Sequence, residues 1–329
     1  MKIQLENLQS NDFYLSLNKD FIKKLLHSAS NEKYPHRDTI LAEKLNMIFS
    51  KKFNQSIGIK QWYYSSRNMP MSKLKIIIEN SKSYSWIDVE NNLISIKSFG
   101  LGFTKFIKPN FPIKDDINLG LVLGHIIGDG WINSKLSQPA YSNSNKELLN
   151  EFSQSMNYLF NVKPRIWVQK EKKFEEKSSW LKRIENLDEI KGKANIVLFY
   201  PKSTGILLFF IFGKFINNKR KNIPDIVFDL SLEFKSGLIR AIYDDESSVD
   251  IKSRHIRLYQ DNPDILESIR KLLSNFGIKA APIRKYIKRN KNRFYFGIYG
   301  YENFIKFQKH INFTSSEKRQ KLSSLITRS

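Results

Sequence analysis

Two segments of this chain place small residues at a four-residue step and then end in an acid, and this pattern constrains the fold more than any other feature. In the first, Gly120, Gly124 and Gly128 recur every four residues before Asp129 and Gly130. That step puts the three glycines on one face of a helix. Each glycine costs a helix roughly 1 kcal/mol relative to Ala, so something must offset the loss, and close approach of a second helix would do so. The second segment supplies the partner. Gly237 and Ala241 share the step and are followed by Asp244, Asp245, Glu246 and Ser247. Setting Asp129 against Glu246 aligns Gly120 with Gly237 and Gly124 with Ala241 without a gap. The spacing predicts two helices packed through their small faces, with Asp129 and Glu246 brought together at one end. No Gly-Lys-Ser/Thr follows the glycines, so a P-loop is excluded.

Two carboxylates meeting at a helix-pair terminus repel each other unless a cation joins them. Oxygen donors suit Mg²⁺, or Mn²⁺ in its place, which keeps waters and takes one or two carboxylates plus a substrate phosphate. The rest of the composition points the same way. Lys and Arg total 55 against 32 acids, a formal charge of +23 and a pI near 9.8, as in nucleic-acid binders. The basic residues are spread over the whole chain rather than gathered on one amphipathic helix, which argues against a membrane as the polyanion. There is no Cys, and the five His show no HxxxH or HExxH, so thiol catalysis, thiolate zinc and zinc hydrolysis are not expected. The N-terminus has no apolar core and does not read as a signal peptide. The most apolar stretch, residues 117–132, is short for a bilayer span and is broken by Asp129. A cytoplasmic or organellar protein, present wherever its DNA is and not secreted, is expected.

Apolar period and turn residues divide the chain into 1–115, 116–225 and 226–329. The last two blocks both read helix-strand-strand-helix-strand-strand-helix, with a charged excursion over 170–191 and a turn at Arg289–Asn292. The expected fold class is α+β: a tandem αββαββα unit with a pseudo-twofold axis, two saddle-shaped sheets and a small, mainly helical N-terminal domain.

The motif sequences LGHIIGDG at 123–130 and GLIRAIYDDES at 237–247 resemble the two motifs of single-chain LAGLIDADG (DOD-type) homing endonucleases. The resemblance extends over about residues 116–327. It implies that Asp129 and Glu246 bind the metal. Lys221, Asn222, Ile223 and Pro224 are similar to the family's K-x-I-P segment, which implies a catalytic role for Lys221. The C-terminal run from Ile311 through Phe313 to Lys318, Lys321 and Leu322 is similar to its counterpart and implies the same for Lys318. An ammonium beside a scissile phosphate can stabilise developing charge or poise the attacking water. The chain departs from the family pattern at two places: Glu246 stands where Asp is usual and Ser247 where Gly is usual. The resemblance implies a monomer that cuts double-stranded DNA at a long asymmetric site, leaving 3′ overhangs, by direct attack of water. The alternatives on the same fold are an RNA maturase, whose partner is intron RNA, and a DNA-binding regulator that does not cut. With Met1 first, Thr327, Arg328 and Ser329 last, and no Cys for splicing, an intein is not expected.

Alternating strands offer the surface for DNA. Lys163, Arg165, Trp167 and Gln169 alternate with Val162, Pro164, Ile166 and Val168. His255, Arg257 and Tyr259, and Arg284, Tyr286 and Lys288, repeat the pattern in the last block. Such side chains suit phosphates and base edges in a major groove that admits a β-ribbon. In the N-terminal block, Asp38 reads as the cap of a helix running to Asn46. The run from Ile59 to Leu74 resembles the second half of a helix-turn-helix module, with Lys60, Gln61, Tyr64 and Arg67 facing DNA.

Overall fold

The computed structural model describes residues 1–8, 13–64, 67–100, 103–133, 137–169, 181–189, 194–213, 215–217, 220–288 and 291–327. They divide into two compact units, one of Ile3–Ile113 and one of Lys114–Ser329 with Met1–Lys2. Most of the charged excursion at 170–191 and the first half of the Arg289–Asn292 turn lie outside the described residues.

The larger unit is built around α1 (Ile117–Ile127) and α4 (Leu232–Glu246). Asp116 caps α1 by accepting from the N–H groups of Asn118 and Leu119, and Ser231 caps α4 by accepting from Phe234 N. Helix α1 is buried on all sides from Leu119 to Ile127, as its run of apolar and glycine residues dictates. The close approach expected from the small residues is present. A Cβ added to Gly120 would lie 2.1 Å from Phe234 O, and one on Gly124 2.5 Å from Leu238 O and 2.7 Å from Ala241 Cβ. On the other helix, a Cβ on Gly237 would lie 2.3 Å from Ile117 O. The small faces therefore meet, backbone against backbone.

After α1 come β1 (Gly130–Ile132), β2 (Pro139–Asn143), α2 (Lys146–Phe160), β3 (Arg165–Gln169), β4 (Leu181–Ile184), β5 (Asn195–Phe199) and α3 (Lys202–Phe212). The sheet is antiparallel, in the order β4-β3-β5-β2-β1. Strand β4 is an edge strand inside the stretch expected to be a charged excursion. It pairs Arg183 with Trp167 and Ile184 with Ile166. After α4 come β6 (Ser247–Asp250), β7 (His255–Gln260), α5 (Pro263–Ser274), β8 (Arg284–Lys288), β9 (Lys291–Ile298), α6 (Tyr301–His310) and α7 (Ser316–Thr327). This second sheet runs β6-β7-β9-β8, again antiparallel. Each motif helix is thus followed by two strands and a helix; three strands then precede the next helix in the first half and two in the second.

The smaller unit adds a small sheet to the helices expected of it. Strand Phe13–Leu17 lies between Met69–Pro70 and Leu93–Ser98 in a three-stranded antiparallel sheet. The alternating burial of Phe13, Leu15 and Leu17 packs this sheet against its helices. Asp38 does cap a helix, Thr39–Lys44, by accepting from Leu41 N at 2.9 Å. The next helix, Ile57–Tyr63, is reached through a hairpin that pairs Phe49 with Ser56, not through the three- or four-residue turn of a compact helix-turn-helix. Tyr64 and Arg67 are exposed just beyond it, and Lys60 and Gln61 are half-buried.

Candidate active site at the paired helix ends

Because α1 and α4 run side by side in register, their C-terminal ends deliver Asp129 and Glu246 to one place. Asp129 lies one residue past the helix cap at Gly128, and Glu246 is the last residue of α4. Asp129 is exposed, but its carboxyl is crowded. The surrounding protein, then the charges of Asp245 and Glu246, push its pKa up to about 7, against the pull of Lys221 and His125. Burial and Asp245 likewise raise Glu246, opposed by Lys221. Each acid resists ionisation in the presence of the others.

The two lysines named from the sequence converge on the same end. Lys221 Nζ donates to Gly128 O at 2.5 Å, at the tip of α1. Lys318 Nζ donates to Tyr243 O at 2.9 Å and Asp244 O at 2.7 Å, at the tip of α4. Cations at helix C-termini complement the free carbonyls and the helix dipole. Burial lowers the pKa of both lysines, while nearby acids hold the charge in place: Glu246 and Asp129 for Lys221, Asp244 and Asp245 for Lys318. Asp244 sets the start of α7, since its carboxylate accepts from Thr314 N at 2.8 Å and Ser315 N at 3.1 Å. Burial raises Asp244 to about 6 against those two hydrogen bonds. A cavity of about 340 Å³ opens beside Glu246, walled by Lys221, Gln260, Asp261, Asn262 and Arg293.

Several residues at this site were not singled out from the sequence. The side chain of Asp245 is fully buried between the helix ends. Its Oδ2 faces His125 Nδ1 at 3.0 Å and accepts from Asp129 N at 3.3 Å; its Oδ1 accepts from Tyr141 OH at 2.6 Å and Asn143 Nδ2 at 3.4 Å. Asn143 Nδ2 also donates to Asp129 Oδ2 at 3.0 Å. His125, itself fully buried, faces Glu151 Oε2 at 3.3 Å through Nε2. Burial disfavours the imidazolium, but Asp245 and Glu151 together outweigh it and raise His125 to about 10. One sequence signal could have found part of this set. The register that opposes Asp129 to Glu246 also opposes Asn143 to Gln260 and Gly128 to Asp245. The sheets keep that register, with Gly130 across from Tyr141 and Ser247 across from Leu258.

The strand residues named from the sequence are distributed unevenly. Arg165 and Trp167 share one face of their sheet, across from Phe199 and Val197, while Ile166 and Leu198 pack on the other. Lys163 is exposed just before the strand. Gln169 and Lys288 belong to β3 and β8, but their side chains lie outside the described residues. In the second sheet, Tyr259, Tyr286 and Tyr295 form a ring cluster with centroids 5.6 to 6.1 Å apart, and the Arg257 guanidinium lies 5.2 Å from the Tyr295 ring. Arg284 is exposed across from Tyr295. His255 differs from the expectation: it is only 3% exposed, and its Nδ1 lies 3.2 Å from Ser253 O. It closes the tight β6–β7 turn instead of presenting a ring to solvent. Among the described residues no helix is long and apolar enough to cross a membrane.

Residues 233–312 match the LAGLIDADG-like domain. Over 236 residues the chain is 24% identical to a glutamine–fructose-6-phosphate aminotransferase (isomerizing) of Methanocaldococcus jannaschii, with 69% of this chain and 19% of that protein covered. It is 29% identical over 116 residues to subunit Rpo1C of the DNA-directed RNA polymerase of the same organism, covering 35% of this chain and 13% of that one. The chain therefore spans less than a fifth of either relative. Among solved structures, full-length WhiA from Thermatoga maritima overlaps 67% of this chain and 63% of its own, at 17% identity and a TM-score of 0.42. Variants of the homing endonuclease I-DmoI overlap 60% of this chain and 92% of their own, at 17% identity and a TM-score of 0.41.

Proposed function

We propose that this LAGLIDADG-fold protein is a site-specific, divalent-metal-dependent endonuclease that hydrolyses both strands of a long, asymmetric DNA target. One observation carries the proposal: two helices in register end in Asp129 and Glu246, with Lys221 and Lys318 bonded to the carbonyls at those same ends. The acids and lysines are a working set for phosphoryl transfer, and a chain of charge +23 brings DNA to them.

The donor set fits Mg²⁺ or Mn²⁺. It is all oxygen, and burial together with the neighbouring acids raises the pKa values of both carboxylates, a penalty that a bound cation would offset. Mg²⁺ needs only one or two carboxylates from the protein, because it completes its shell with waters and phosphate oxygens. When bound, the cation supplies Lewis acidity toward the phosphoryl group and the attacking water. Asp129 and Glu246 hold it, and Glu246, with no hydrogen bond from any described residue, accepts the longer reach. Lys221 and Lys318 are fixed by helix carbonyls, so their ammonium groups stand ready beside the charge that develops on phosphorus.

Residues 116–225 and 226–329 act as two subdomains, each presenting one sheet to one half of the target. Lys163, Arg165, Trp167, Gln169, Arg257, Tyr259, Arg284, Tyr286 and Lys288 contact it. Both motifs lie in one chain, so the enzyme works as a monomer. The N-terminal domain, 1–115, adds DNA contacts through Tyr64 and Arg67.

The test is selection of cleaved targets from a DNA library with Mg²⁺, followed by cleavage of the recovered target by Asp129→Asn and Glu246→Gln. Both variants should bind it and fail to cut; a variant cutting like wild type removes that residue from the proposal. Affinity should fall steeply with salt, each neutralised phosphate adding roughly −0.9 to the log–log slope. Cleavage of RNA-free DNA also separates this function from intron splicing.

A further inference from the structure

Asp245 sits where the helix-pair register places Gly128 on the opposite side, and it occupies the space that glycine vacates. A Cβ on Gly128 would lie 2.4 Å from Asp245 Oδ2. A carboxylate buried between two helices costs several kcal/mol unless it is paired and hydrogen-bonded. Here the compensation is complete. The four groups described above, His125, Asp129 N, Tyr141 and Asn143, occupy its two oxygens. A carboxylate so saturated has no lone pair free for a metal. What it does hold is Asp129. One oxygen accepts from Asp129's own N–H, and Asn143 bridges the other oxygen to the Asp129 carboxylate. Behind Asp245, His125 is anchored on Glu151, and Glu151 accepts from Thr314 Oγ1 at 2.5 Å.

We infer that Asp245, paired with His125, is a positioning residue that fixes both the backbone and, through Asn143, the carboxylate of Asp129 for metal binding. This rests on the reading of Asp129 as a metal ligand. An aspartate one residue beyond a helix cap would otherwise rotate freely, and ordering it on binding would cost affinity. Partners behind a metal ligand typically change affinity 10- to 100-fold.

The experiment measures Mn²⁺ binding to the full chain without DNA, from the EPR signal of free Mn²⁺, alongside thermal melting of the metal-free protein. The double variant Asp245→Ala with His125→Leu replaces the buried ion pair by apolar groups, an exchange that is often neutral for stability. It should melt close to wild type and bind Mn²⁺ about tenfold more weakly. Asn143→Ala, which cuts only the bridge, should weaken Mn²⁺ binding in the same direction without lowering the melting temperature. Asp129→Asn, run in parallel, should lose most of the affinity. If Asp129→Asn loses affinity but the double variant and Asn143→Ala bind like wild type, the positioning role is overturned and the ligand assignment stands. If Asp129→Asn itself binds like wild type, the ligand assignment fails first and the positioning role goes with it.

Discussion

Around Asp129 the side chains form an interlocked hydrogen-bonded network; Glu246 instead borders an open cavity lined by Lys221, Gln260, Asp261, Asn262 and Arg293 and accepts no hydrogen bond from a described residue. The register that pairs the two acids sets His125 against Ile242, Tyr141 against Leu258 and Asn143 against Gln260. Ile242 and Leu258 are fully buried, and Gln260 Nε2 is buried without a hydrogen-bond partner. Two halves built to one plan have thus spent their interiors differently. One half uses buried charge to hold a short acid still. The other packs hydrocarbon at the matching positions and leaves a longer acid without a hydrogen bond from any described residue, beside the charge of Lys221. A glutamate at 246 in place of the usual aspartate is consistent with that division, because extra reach is useful only where the scaffold leaves the carboxylate free to move.

The sharpest way to break this comparison is to remove charge from one side and volume from the other. His125→Leu leaves Asp245 buried without its counter-ion and should destabilise the fold by about 3–5 kcal/mol, measured by urea unfolding. Ile242→Val at the matching position should cost only about 1 kcal/mol, the ordinary loss of one buried methyl group. If both cost the same, the polar network is not what holds the first half together.

A second comparison tests where the halves are alike. Gly120→Ala would press a methyl group into Phe234 O, and Gly237→Ala into Ile117 O, both from closer than any real contact. Neither obstacle is a flexible side chain. Each substitution should therefore cost about 3 kcal/mol in thermal unfolding, and by similar amounts, since the two helices meet through equivalent faces. Tolerance at one position alone would show that the helix pair can slide, and the symmetry would be looser than the backbone contacts indicate.

These contrasts also explain what could be read from the sequence. The helix pair was legible because its signal is local and repeated: small residues at a fixed step, twice, each followed by an acid. Lys221 and Lys318 were legible only through the motif segments around them, since any one lysine in so basic a chain looks like solvated surface. Asp245 was legible only through the register that opposes it to Gly128, and its pairing with His125 was not legible. His125 lies inside an apolar helix and Asp245 in the acidic run that ends another, and they meet only because the chain folds back across a separation of 120 residues. The sheet faces were half legible. Alternation placed Arg165 with Trp167 and Arg257 with Tyr259, but it could not see that the tight turn after Asp250 draws His255 inward. In the N-terminal unit, Asp38 announced its helix through capping chemistry. The strands Phe13–Leu17 and Leu93–Ser98 did not announce their pairing, which joins distant segments.

The smallest expected effect concerns protons and metal at the acid pair. Asp129 in the folded protein has a pKa of about 7, raised from an ordinary 3.8 by crowding and by Asp245 and Glu246. The folded state therefore binds this proton more tightly than the unfolded chain does. Stability from this group is fully present below the unfolded value and is lost as pH rises toward about 7. Glu246 is shifted in the same direction and adds to the loss. A bound divalent cation reverses the balance, because it favours the ionised carboxylates that the empty fold penalises. The difference in melting temperature between Mg²⁺ and EDTA should therefore be small at pH 5 and grow through pH 7 to pH 8. Glu246→Gln should reduce that growth, and Asp129→Asn should reduce it more, because Asp129 carries the larger proton competition. A Mg²⁺ effect that stays constant from pH 5 to pH 8 would mean that the cation binds elsewhere, and the inequality between the two acids would then have no bearing on metal affinity.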